Sequence, residues 1–265
     1  MAVSFPPATA SRAGAGASTV QIQQYRGRAI VAIWAAAALP MAALAWLVAP
    51  ALKDRFAGDG SVPMFKALVI CLTAGLIWQF VLVAVLVWRV QRTFRWSVIS
   101  QALWLQSPRS PRTGRRGGRV WLVVIPLIAA AGAEELIPAL PHAASRDLAA
   151  FLNSPAGRHF LHGAWGWYSL LLVLFVFNTV LGEELLFRGL LLPRMNGAFG
   201  RRDWVANGLL FTAYHLHRPW AIPATLLDTF ILAYPTKRYR SAWIGIAVHS
   251  AESVVFAVIG LTLLL

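Results

Sequence analysis

The residues of this chain best equipped for chemistry are two adjacent carboxylates with an arginine at helical spacing, and two histidines in separate apolar stretches. They read Gly182-Glu183-Glu184-Leu185-Leu186-Phe187-Arg188, then Phe211-Thr212-Ala213-Tyr214-His215 followed by His217, then His249-Ser250-Ala251-Glu252-Ser253. Glu184 and Arg188 are four apart on one helical face, in the order that pairs well; Glu183, five from Arg188, aligns less well. One carboxylate can then be neutralised while the other is left for proton transfer. A buried ion pair beside a solvated second glutamate would use the same residues without chemistry. A lone histidine in an apolar helix is more often a packed, hydrogen-bonded side chain. Groups of this kind on separate apolar helices shift the balance towards a site.

These side chains sit in stretches apolar enough to enter a bilayer, where an ionisable group is costly and is read first as functional. The chain has 265 residues, 58% hydrophobic and only 13% charged, a balance of membrane proteins rather than soluble domains. Seven apolar segments are read at about 29–52 (interrupted by Pro40), 65–88, 120–140 (with Pro126), 165–192, 204–217, 220–234 and 242–265. The fifth and sixth are short, and cross only if packed inside the bundle or in a thinned bilayer. Arginine and lysine concentrate in alternate loops. The expectation is an all-α, polytopic transmembrane helix bundle of about seven spans, N-terminus cytosolic and C-terminus outside. Counted from the cytosolic ends near Arg194, Asp203 and Ser241, Glu183 lies roughly 16 Å deep, His215 roughly 18 Å and His249 roughly 12 Å. Three groups from separate segments thus fall in one layer of the membrane.

The remaining chain divides into an Ala/Ser/Pro/Gly-rich tail over 1–28, read as disordered and cytosolic, N-terminal transmembrane helices over 29–106, and a basic Pro/Gly/Arg linker over 107–119. A transmembrane bundle over 120–265 completes the division. The tail lacks the compact apolar stretch of a secretory signal. The linker is read as an unstructured loop that fixes topology and can meet anionic head groups. A net charge of +14 would suggest nucleic acid in a soluble protein. Here it is explained by loop orientation, and no stacking aromatics are interleaved with the basic run, so no nucleic-acid partner is expected. Cys71 is the single cysteine and can form no intramolecular disulfide. Glu134-Glu135 repeats the paired carboxylate without an arginine four or five residues later, and is expected to be an interfacial helix end. His217, beside Arg218 and Pro219, is likewise expected at the interface. Asp228 could support a histidine or Arg188, or make a structural hydrogen bond. Trp88, Trp96, Trp104, Trp121, Trp204 and Trp220 are expected to be interface anchors.

Glu183-Glu184-x-x-x-Arg188, Phe211-x-x-x-His215 and His249-x-x-x-Ser253 resemble the successive motifs of the CPBP intramembrane proteases. That family is also called the CAAX protease and bacteriocin-processing, or Abi, family, and it includes the type II CAAX prenyl endopeptidase. The resemblance covers about 165–259 and rests on motif order, spacing and placement on separate apolar helices. It departs at Ser253, where the family usually has Asn or Asp; Glu252 stands next to it.

The resemblance implies an endopeptidase acting on a membrane-associated or lipidated, CAAX-like substrate, with Glu183, Glu184, Arg188, His215, His249 and Ser253 as the catalytic set. In a glutamate mechanism Glu183 takes a proton from water that His215 helps to hold, while His249 and Ser253 donate to the oxyanion. In a zinc mechanism Glu183, His215 and His249 would ligate the ion and leave a water position open. No HExxH helix is present, and the glutamate mechanism, without a cofactor, is favoured. Neither a GxSxG elbow nor a nearby cysteine supports serine or cysteine catalysis. Two other readings remain. One is a catalytically impaired relative acting as a membrane scaffold or bacteriocin-immunity factor, which Ser253 favours. The other is a proton-coupled transporter, which the lack of inverted repeats disfavours. Membrane lipids and a peptide or lipidated protein are the expected partners, and Ala/Arg-rich usage leans towards a bacterial plasma membrane.

Overall fold

The computed structural model describes residues 22–58 and 62–265, so the expected tail up to residue 21 lies outside the described residues. The fold is all-α, with no β-strand among the described residues. Its principal helical runs are α1 (Gly27–Phe56), α2 (Pro63–Gln91), α3 (118–136), α4 (Trp165–Arg194), α5 (Asp203–Tyr214), α6 (229–239) and α7 (Ala242–Leu264). Four of these, α1, α2, α4 and α7, are long and apolar enough to cross a membrane. At 29 residues, α2 reaches about 43 Å, more than a hydrocarbon core about 30 Å thick. By contrast α3, α5 and α6 are shorter or change winding along their length.

The distribution of side chains is that of a bundle in an apolar solvent. Valine, leucine and isoleucine are exposed on the outer faces of α1, α2 and α7, among them Leu39, Leu47, Val81, Val85, Val254 and Val258. Ionisable and amide groups, including Gln79, Glu183, Glu184, Arg188 and His215, are buried inside. In hydrocarbon an unpaired polar group costs several kcal/mol, so polar side chains turn inward. The chain is an integral membrane protein.

The N-terminal helices pack directly on the segment that carries the motifs. Gly182 makes this possible, because a β-carbon there would lie 3.3 Å from the Leu76 carbonyl oxygen and closer still to that of Phe177. Indole N–H groups bind the bundle together: Trp34 donates to the Leu210 carbonyl and Trp46 to that of Leu216, each at 2.8 Å. These carbonyls sit where α5 ends and its hydrogen-bond ladder runs out. Trp220, expected as an interface anchor, is instead 5% exposed, donates to Asp147 at 2.8 Å and stacks on His142. The polar partner is the reason: an indole N–H with a carboxylate acceptor inside the bundle has no need of the interface.

Two basic features also differ from expectation. The stretch 107–119 forms an ordered turn, with Ser110 N–H on the Arg115 carbonyl and Arg109 N–H on the Tyr239 carbonyl. Arg194, expected in a cytosolic loop, is 1% exposed and donates to the carbonyls of Ala102 and Leu190. The backbone N–H of Tyr25 closes on the Arg194 carbonyl. Arg194 therefore ties the C-terminal end of α4 to the chain before α1 and to the short helix Trp96–Ala102.

Candidate active site

On α4, Phe177–Gly182 and Leu185–Leu191 wind as π-helix on either side of Glu183 and Glu184. Such wide turns are rare and collect at functional sites. Glu184 is fully buried, and its Oε1 lies 3.1 Å from Arg188 Nη1 and 3.2 Å from His249 Nδ1. One carboxylate oxygen thus bridges α4 to α7. Because a carboxylate only accepts, Nδ1 of His249 is the donor and its Nε2 faces away from Glu184. Arg188 also lies over the Phe211 ring, 4.0 Å from its centroid. No well-aligned hydrogen bond reaches its nitrogens among the described residues, so the pair with Glu184 is Coulombic rather than a two-pronged fork. Gly245 lets α7 come this close: a β-carbon there would lie 3.2 Å from Arg188 Cγ and collide with Glu184 Oε2.

Glu183 has different neighbours. It is 2% exposed and lies in the electrostatic neighbourhood of the Tyr214 hydroxyl. That hydroxyl accepts from Gln79 Nε2 at 2.6 Å. Gln79 belongs to α2, outside the stretch that carries the motifs. The charged neighbours of Glu183 include His249 and Arg218. His215, 1% exposed, sets Nδ1 at 2.9 Å from the Phe211 carbonyl. A carbonyl cannot donate, so Nδ1 carries the hydrogen and Nε2 is the acceptor. Phe211 is the wedge between the two histidines, edge-on to His215 at 4.8 Å and to His249 at 6.1 Å.

A cavity opens at Glu183. Its polar end is formed by Glu183, His217, Arg218, Glu252 and Ser253, and its apolar wall by side chains of α1, α2, α4 and α7 such as Met41, Leu72, Leu171 and Phe256. His217, expected at the interface, faces this cavity, because a short helical turn over His215–His217 carries the chain back over the site. Ser253 lies on the cavity wall, and its hydroxyl makes no hydrogen bond among the described residues.

Glu134 lies in the last helical turn before Ile137, the helix end that was expected. It is also in the electrostatic field of Asp228, Glu252 and His249. Asp228 is 7% exposed and close enough to Arg188, His249 and Glu184 to feel their charges. That neighbourhood comes from other segments, which spacing along one helix could not show.

Sequence reasoning therefore reached Glu183, Glu184, Arg188, His215, His249 and Ser253, and the structure draws all six to one region. It missed Gln79, Tyr214, Glu134 and Arg218 as contributors. For Tyr214 a signal existed, its position next to His215; for Gln79 the signal was an amide inside a span. As zinc ligands the proposed three fit poorly. Among the described residues no three His, Cys, Asp or Glu side chains are grouped around one point.

Bundle and site together bring buried carboxylates, imidazoles and a cavity onto converging helices of a membrane protein. Residues 164–255 match the family model of the type II CAAX prenyl endopeptidase, Rce1-like. No curated protein and no solved structure matches the chain. The matched stretch contains all three motifs, from Glu183 to Ser253.

Proposed function

We propose that the protein is an intramembrane endopeptidase of glutamate type, hydrolysing a peptide bond in a membrane-associated or prenylated, CAAX-like substrate. The observation that carries this reading is the division of labour between the two glutamates. Glu184 is committed to Arg188 and His249, while Glu183 opens on the cavity and makes no ion pair among the described residues. Glu183 takes the proton of a water in the cavity, and the lone pair on His215 Nε2 orients that water. His249, held through Nδ1 by Glu184, turns its Nε2–H towards the developing oxyanion, and Ser253 adds a second donor from the same helix. The Glu183 proton then passes to the leaving amine. The poor fit of Glu183, His215 and His249 to a common ion favours this route over zinc.

Seven crossings with a cytosolic N-terminus, in a bacterial plasma membrane, complete the proposal. The broken runs α3, α5 and α6 would span only within the bundle, where irregular backbone finds protein partners. Purified protein in liposomes, given a farnesylated peptide with a free C-terminus, tests the chemistry. Glu183→Gln, His215→Ala and His249→Ala are each expected to lose at least about 100-fold in kcat/KM. Variants that cleave as fast as the parent would end the protease reading.

A further inference from the structure

Arg218 lines the cavity, and among the described residues its side chain makes no ion pair or hydrogen bond. It follows the short turn His215–His217 and precedes Pro219, and a residue before proline is kept out of the helical region. Its φ of −141° and ψ of 67° end the helical path there. Backbone hydrogen bonds fix it on both sides, its own N–H on the His215 carbonyl and the Ala221 N–H on its carbonyl. The side chain reaches the cavity that Glu183 lines. Glu252, Glu183, Asp147 and Asp228 surround it electrostatically. None of them comes within ion-pair distance among the described residues, and Nε is buried without any hydrogen-bond partner. The other arginine on the cavity wall, Arg146, is occupied: it lies 4.3 Å from the Trp46 ring centre and donates to the Ala45 carbonyl.

A guanidinium in a low-dielectric cavity is costly when unpaired. The surrounding acids balance its charge at a distance, yet leave its planar fork of donors free. That fork matches a carboxylate in two-pronged geometry, which a point charge cannot do. We infer that Arg218 anchors a carboxylate of the peptide substrate and so fixes which bond lies against Glu183. The inference rests on the protease reading above. The carboxylate has two sources in a peptide, the chain terminus and an acidic side chain.

Three lipidated peptides of one sequence separate them: a free C-terminal acid without acidic side chains, its C-terminal amide, and that amide carrying one glutamate near its C-terminal end. The protein in liposomes is expected to cleave one of the two acids 10- to 100-fold better in kcat/KM than the neutral amide, as a charge-assisted hydrogen bond allows (roughly that range). Preference for the first assigns the chain terminus, and preference for the third assigns the side chain. In Arg218→Gln the ratio of acid to amide is expected to fall towards one, and Arg218→Lys is expected to keep part of it. Equal rates on all three peptides with the parent protein overturn the assignment without reference to any variant. An acid preference that survives Arg218→Gln also overturns it. No cleavage of any peptide overturns the protease reading itself, and the anchor with it.

Discussion

The bridge from Arg188 through Glu184 to His249 gives a prediction whose size can be worked from the structure. Arg188 and Glu184 are both fully buried and 3.1 Å apart. At an effective dielectric of about 20 their attraction is about 5 kcal/mol. Breaking a buried pair from one side costs about 3–5 kcal/mol, because the other charge is left without its partner. Arg188 also lies 4.0 Å from the Phe211 ring centre, a contact that adds about 1–2 kcal/mol and is lost only when the arginine is removed. Arg188→Met is therefore expected to destabilise more than Glu184→Gln. The double variant Arg188→Met/Glu184→Gln should be less damaged than the sum of the two by at least about 2 kcal/mol. The assay is unfolding by SDS titration in mixed micelles, read by tryptophan fluorescence for all four proteins. A double variant additive to within about 0.5 kcal/mol would refute the reasoning, since two coupled charges cannot be additive.

Two further outcomes follow from the polar contacts. Tyr214→Phe removes a hydroxyl in the neighbourhood of Glu183 and the acceptor of Gln79; cleavage of the farnesylated peptide is expected to fall about 10- to 100-fold with the fold retained, checked by initial rates beside the same unfolding titration. Unchanged cleavage would show that the hydroxyl has no part in the chemistry. At the carboxyl pair, Glu134→Gln keeps a donor for Asp228 whereas Glu134→Leu leaves it alone, so the leucine variant should be the less stable by about 1–3 kcal/mol. Equal stability of the two would mean that the contact carries nothing.

What the sequence determined by itself is whatever depends on local spacing or on bulk composition. Apolar length and charge scarcity made the chain helical and membrane-bound, because a bilayer accepts backbone only when its hydrogen bonds close within the segment. The four-residue step from Glu184 to Arg188 set their pairing, since that distance is fixed along one helix. Helical rise gave the expectation that Glu183, His215 and His249 share one layer. Tertiary structure decided everything that joins different helices. That His249 shares the carboxylate of Glu184 depends on how closely α7 approaches α4, which Gly245 permits. That Gln79 reaches Tyr214 depends on α2 lying against the motif-bearing helices. That Glu134, at its helix end, neighbours Asp228 could not be read from spacing, because Asp228 is remote in sequence. His217 looked interfacial because the turn after α5 could not be read from an apolar run. Spacing along one helix is covalent geometry and is written in the chain. Contact between helices is the outcome of packing, and single residues such as Gly245 and Pro219 set it without announcing their partners.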